Sequence, residues 1–385
     1  PTYLDLTLRE KRDMRISLQK LTPPQAEYGR MKYWLGEYRK ILDRGGWQEV
    51  PEGPVLSPKS SGPRVAALCA RLKAGGELQG SGCDEDFSPA MEDAMKRFQS
   101  VHGLDTTGLA DARTLRQLNV STQDRIDQIG LNLECWRWLP QDLGERHIRV
   151  NIADFRLGAF ERDEEIFSMR VVVGRKQDST PVFSDRVTSV QLNPSWNVPA
   201  SIAGEEILPE LQKDPEYLSK HEMELLANWN ESASLIRPDS IDWAEVSPEQ
   251  FPFRIRQRNG DVSALGRVKF VLTNPFNIYL HDTPAKKYFA HDKRALSHGC
   301  VRLAQPFKLA EWLLAPGSVW TPERLAADVT KGEEIFIPVE GKGVPVHILY
   351  WTCFVDKQGG LQFRPDVYNW NPKMEKALDR KAASF

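Results

Sequence analysis

The chain of 385 residues has no apolar run approaching the roughly 20 residues that cross a bilayer, so no membrane-spanning helix is expected within it. It has no excess of one charge: 51 basic residues stand against 53 acidic ones, a net charge of −2. Nucleic acid calls for a basic footprint, so that partner class is not expected. Cys-x-x-Cys and His-x3-His spacings are missing, which argues against a structural zinc site. Internal repeats and low-complexity runs are missing too. The chain opens at Pro1, without an initiator Met or a charged-then-apolar leader. It therefore reads as trimmed, and a signal peptide or membrane anchor ahead of it stays an open expectation.

What is present is the composition of a globular protein, too long for one ordinary core, so two or three domains are expected. Tyr28, Met31, Leu35, Tyr38 and Leu42 recur at helical steps, residues 1–50 read as helical, and Gly45-Gly46 ends the pattern. Pro51 to Pro63 reads as a linker. Residues 63–120 read as three short helices, the second capped by Ser88 and stopped at His102-Gly103. Residues 121–145 form a helical connector, grouped with a helical scaffold over 1–60. From 146 to 385 the pattern turns to strands. His147 to Phe155, Phe167 to Gly174, Val187 to Leu192, Val268 to Leu272 and Asn277 to Leu280 are candidates. A more polar stretch from about 203 to 266 interrupts them as an inserted subdomain, with GEEILPELQKD and YLSKHEMELLANW as its helix-like parts. Val344–Val355 and Leu361–Tyr368 are strand candidates that complete the sheet. The fold class is therefore α+β.

Of five cysteines, Cys69 and Cys83 lie close enough for a small-loop disulfide, with two buried thiols as the other reading. An odd count leaves at least one thiol outside such a bond. Cys353 sits in an alternating strand and reads as core. The segment Ile278-Tyr279-Leu280-His281-Asp282-Thr283-Pro284 precedes Ser297-His298-Gly299-Cys300-Val301-Arg302-Leu303. A free thiol is mostly protonated at neutral pH, and an imidazole within reach can take its proton. His281, nineteen positions upstream, ends a strand-like run and can face Cys300 from a second element. His298, two positions away, shares a face with Cys300 in extended chain, so local geometry leaves it open as the base. Gly299 lets backbone amides approach a substrate carbonyl. The amides of Gly299 and Cys300 would then hold an oxyanion, worth about 2.7–4 kcal/mol per donor. A backbone carbonyl near Asp282 or Thr283, or the Asp282 side chain, would orient the base.

The SHGCVR segment, with its upstream His in an HDTP context, resembles the signature of L,D-transpeptidases with the YkuD catalytic domain. The layout resembles the large multi-domain members of that family, with a helical scaffold, a peptidoglycan-binding-like bundle at 63–120 (FQ…HGL…TG) and a mostly-β catalytic domain carrying a capping insert. The resemblance implies Cys300 as nucleophile, His281 as base, and Gly299 and Cys300 as backbone donors. Ser297, His298 and Arg302 would line or brace the site, and Trp196, Tyr279 and Asp282 are candidates for substrate contact. Arg302 would clamp a substrate carboxylate or hold the catalytic loop through backbone carbonyls. The implied reaction joins donor and acceptor stem peptides of peptidoglycan through a thioester in the periplasm, without metal or organic cofactor. Carbapenems would acylate Cys300. Two other readings keep a place: an L,D-carboxypeptidase or amidase with water as acceptor, and a non-catalytic cell-wall binding protein.

Overall fold

The computed structural model describes residues 21–80, 82–230, 232–314 and 319–382. The part of the N-terminal helical expectation that falls on residues 1–20 lies outside them. The chain divides into two compact units. One holds the described residues up to Leu143, Asn151–Asp154 and those from Leu349 onward; the other holds Gly144–Val150 and Phe155–Ile348.

The first unit is built on helices α1 (Ala26–Asp43), α2 (Pro63–Ala74), α3 (Pro89–Val101), α4 (Ala112–Leu118) and α5 (Thr122–Arg137). The Ser88 hydroxyl caps α3 by accepting from the Met91 amide, and Asp111 and Ser121 cap α4 and α5 in the same way. Residues from Val50 to Leu118 enclose a small core around Leu68, Leu72, Met95, Phe98 and Leu118. A second core joins Tyr28 and Met31 to Ile129, Trp136, Trp351, Cys353 and Phe363. The span expected as catalytic at 146–385 therefore closes earlier. From Leu349 the chain's apolar residues are buried among the helices, and Leu361–Phe363 pairs with Cys353–Val355 in a hairpin instead of extending the large sheet.

Cys69 and Cys83 form a disulfide with Cα atoms 5.6 Å apart, closing a loop with a sequence separation of 14. Cross-linking a loop of that size removes freedom from the unfolded chain and stabilises by about 3 kcal/mol. A reductant is expected to lower the melting transition of the bundle accordingly; calorimetry with and without it measures the shift, and coincident transitions would refute it.

In the second unit, β1 (Arg146–Asn151), β2 (Arg156–Glu161), β3 (Glu164–Gly174), β4 (Phe183–Val187) and β5 (Ser189–Leu192) come first. The inserted segment adds β6 (Trp196–Asn197), β7 (Met223–Leu226), β8 (Leu235–Ile236) and β9 (Arg254–Gln257). Then follow β10 (Val268–Val271), β11 (Leu280–His281), β12 (Ala295–Ser297), β13 (Val301–Leu303), β14 (Ile335–Pro338) and β15 (Val344–Leu349). Among the described residues, eleven strands form one mixed sheet in the order β14-β5-β10-β11-β13-β3-β2-β1-β15-β4, with β12 paired to β3. The β11–β13 and β12–β3 pairs are parallel.

The insert has its own sheet, β6-β9-β7-β8, over a core of Val198, Leu208, Leu211, Leu225, Trp243 and Ile255. It thus begins near Trp196, ahead of the expected 203. GEEILPELQKD is helical, opening on a π-helical turn at Ala203–Ile207. HEMELLANW is not: Glu222 takes φ +52°, and Met223–Leu226 leaves as a strand paired on both sides.

Candidate active site

Three neighbouring strands set the site. Lys269 of β10 pairs with His281 of β11, and His281 pairs with Arg302 of β13. The Val301 amide donates to the Tyr279 carbonyl at 3.1 Å, continuing the ladder so that Tyr279 stands beside Cys300. Residues two apart share a face of a sheet, so Lys269, Tyr279, His281, Cys300 and Arg302 lie on one side. Their neighbours Val268, Phe270, Leu280, Val301 and Leu303 lie on the other, each wholly buried. That apolar face fixes the register, because a one-residue slip would bury the polar set in its place.

Cys300 is half-buried, and its thiol donates to the Asn277 carbonyl, with sulfur and oxygen 3.7 Å apart. Burial pushes its pKa up, and hydrogen bonds from the Tyr279 backbone and hydroxyl and the charges of Lys269 and Arg302 offset only part of that rise. Cys135, by contrast, is pushed by burial to about 12. Burial also raises the Tyr279 hydroxyl, which stands between the Cys300 sulfur and the Trp196 side chain. The half-buried Trp196 of β6 thus ties the root of the insert to the nucleophile.

The His281 ring is 4% exposed. Burial first, and then the cations of Arg302 and Lys269, lower its pKa to about 3, against hydrogen bonding with the backbone at Asp282 and Leu265. Its Nδ1 is buried without a hydrogen-bond partner among the described residues. The ring is therefore neutral at physiological pH. It packs edge-on to Tyr279, with centroids 5.5 Å apart. Among the described residues no hydrogen bond joins it to the Cys300 sulfur, whose partners are Tyr279 and Asn277. His281 and Cys300 share a face, two residues apart in register.

Other expected residues are placed differently. The Ser297 hydroxyl is buried, donates to the Cys300 carbonyl at 2.6 Å and accepts from the Gly299 amide at 3.2 Å. It braces the loop, and it engages the amide expected of Gly299 as an oxyanion donor. The Cys300 amide has no acceptor among the described residues. Gly299 holds φ +113°, which favours glycine, and its carbonyl accepts from the Thr180 hydroxyl at 2.6 Å. His298 turns to the insert, its Nε2 2.5 Å from a Glu206 carboxylate oxygen that also lies 3.2 Å from Arg175. It is thereby engaged away from the role of base.

The Asp282 carboxylate points away as well. It pairs with Lys286 and accepts from the Arg267 amide at 2.9 Å, packed so tightly on Gly266 that a Cβ there would meet it. Asp282 thus holds the turn carrying Leu265 instead of orienting the imidazole through its side chain. The Arg302 guanidinium makes no bond to a backbone carbonyl among the described residues, and its Nε is buried without a partner. Lys269 and Glu206, not singled out from the sequence, complete the site. No group of three or more His, Cys, Asp or Glu among the described residues could hold a metal ion, and no described helix is long and apolar enough to cross a membrane.

A thiol, a buried imidazole and two cations thus share one face of a mixed sheet in an α+β chain. Residues 145–348 match the family model described as L,D-transpeptidase catalytic domain (YkuD), and residues 61–118 match the one described as "Putative peptidoglycan binding domain". The first match takes in more than half of the chain, and the chain belongs to the YkuD L,D-transpeptidase family. It is 34% identical over 258 residues to the "Putative L,D-transpeptidase" of Haemophilus influenzae, covering 67% of this chain and 51% of that protein. The chain thus spans about half the length of that curated relative.

Among solved structures, the L,D-transpeptidase of Stackebrandtia nassauensis is 12% identical, with a TM-score of 0.28, covering 78% of this chain and 96% of the other. The Enterococcus faecium catalytic domain acylated by ertapenem is 10% identical, with a TM-score of 0.25, covering 53% and 97%.

Proposed function

We propose that the chain is a peptidoglycan L,D-transpeptidase whose acyl-enzyme forms on Cys300. The Cys300 thiol loses its proton to the neutral His281 ring. The thiolate adds to the carbonyl of the third residue of a donor stem peptide, giving a tetrahedral oxyanion that the Cys300 amide is free to meet. The C–N bond then breaks. The terminal D-amino acid leaves with the proton returned by His281, and a thioester remains on Cys300. An acceptor amine attacks the thioester and gives its proton to His281, the new amide forms, and the released thiolate takes that proton back. Carbapenems would acylate the same sulfur. The insert, tied to the site through Trp196 and Glu206, would act as a lid that keeps water from the thioester. A substrate of this kind would place the protein in the periplasm.

The observation that supports the reading best is the shared sheet face: a half-open thiol beside a buried imidazole kept neutral, the form able to accept a proton. Mass spectrometry of products from purified tetrapeptide muropeptides tests it. The expected product is a cross-linked dimer lacking one terminal D-amino acid. A trimmed monomer formed even with abundant acceptor amine would establish the carboxypeptidase reading instead. Unchanged muropeptides with folded protein would leave only cell-wall binding.

A further inference from the structure

A thiolate near neutral pH needs positive charge close by. In a cysteine–histidine pair the imidazolium commonly supplies it. Here that source is poorly placed. His281 is buried and stands in register between Lys269 and Arg302, so a protonated ring would be a third cation in one cross-strand row. Neither flanking cation has an anionic partner among the described residues. The Lys269 ammonium lies 4.3 Å from the centroid of the Tyr279 ring, over the residue that stands beside Cys300. Glu334, the carboxylate acting on Lys269, is bonded to Gln191 and Ser195. Arg302 keeps a buried, unpartnered Nε. Two partly buried cations acting on one thiol, with no carboxylate paired to either, favour its ionised form against the effect of burial.

We infer that Lys269, together with Arg302, lowers the cost of ionising Cys300, so that the thiolate formed when His281 takes the thiol proton is balanced by two fixed cations as well as by the new imidazolium. The inference rests on the reading of Cys300 as nucleophile and deepens it, making Lys269 a positioning residue for the reaction. The groups acting on the sulfur are Lys269 from β10, Tyr279 from the β11 segment and Arg302 from β13, with His281 on the same sheet face. Glu206 and Tyr288 act on Arg302 from outside. The interactions fit: Lys269 and Arg302 both favour the charged sulfur, and both oppose a charged ring at His281. Division of labour follows. At rest the ring is neutral and ready to accept the thiol proton, and the cations ease the charge separation that follows.

The rate of Cys300 alkylation by iodoacetamide, followed by peptide mass spectrometry as pH is varied, reads the thiolate directly. K269M keeps the aliphatic stem against Tyr279 and loses the charge. It is expected to move the midpoint up by about one pH unit, a roughly tenfold slower reaction below it, and K269R is expected to restore it. A lysine that only packs on the ring would leave the midpoint in place in K269M, and that result overturns the inference, as would a shift produced by His281→Gln but not by K269M. Thermal melts confirm folding, and K269Q serves the same comparison should K269M not fold. A wild-type thiol that labels at no pH would remove the nucleophile and this inference with it. A reactive thiol indifferent to position 269 removes the inference alone.

Discussion

Cys300→Ala is expected to remove turnover of stem peptides, a fall of at least about 10⁴-fold, since losing a covalent nucleophile strips the enzyme of the step that all others serve. The fold should not register the change. The sulfur is half-buried with Tyr279 and the Asn277 carbonyl as its partners, while the bond from the Ser297 hydroxyl goes to the backbone of residue 300 and survives the substitution. Stability should therefore stay within about 1 kcal/mol of the parent. Chromatography of the muropeptide products and a thermal melt measure the two halves together. A variant that still forms cross-links at a rate near the parent's would show that the thioester lies elsewhere or does not exist. One that fails to fold would assign the sulfur a packing role that its surroundings do not suggest.

How much of this was legible beforehand depends on how far apart the interacting residues are. Cys300 and His281 stand out in the sequence because SHGC and the upstream HDTP are local patterns. The Ser88 cap was readable because its partner is three residues away. Lys269 was not. In Val268-Lys269-Phe270 the apolar residues alternate with a lysine, which reads as a solvent-facing strand position, and only the pairing with His281 shows that its face is the site. Glu206 was hidden for the same reason, since 92 residues separate it from His298. Strand character in the C-terminal hairpin says nothing about which core will take it. Cys353 and Phe363 are buried with Tyr28 and Trp136. In MELL four apolar or long residues fit either period, and a left-handed Glu222 decides for strand.

Gly174→Ala should have the second largest effect, through a residue that touches no substrate. Gly174 ends β3 opposite Ser297, and its amide donates to the Thr180 hydroxyl at 2.9 Å. That hydroxyl donates in turn to the Gly299 carbonyl, and the Arg175 amide donates to the Ser297 carbonyl at 2.8 Å. These bonds hold the loop on which Cys300 sits. A Cβ on residue 174 would overlap the Asp178 carbonyl oxygen, 2.7 Å from the Thr180 nitrogen and 3.0 Å from the Gly299 Cα. All three are backbone atoms, so no side chain can rotate to relieve the contact. Either the 178–180 turn lifts off or the 299 segment shifts. Overpacking of this kind costs about 1–3 kcal/mol, and a lost bond to Thr180 adds about 1. The catalytic unit should melt several degrees lower, by roughly 2–4 °C per kcal/mol at this size. Where the variant stays folded, a displacement of the 299–300 backbone near 1 Å should slow turnover by about 10²-fold. A melt and a single-turnover acylation rate separate the two effects. Parental values in both would mean that the turn yields freely, and that the Gly174–Thr180–Gly299 chain does not set the position of the thiol.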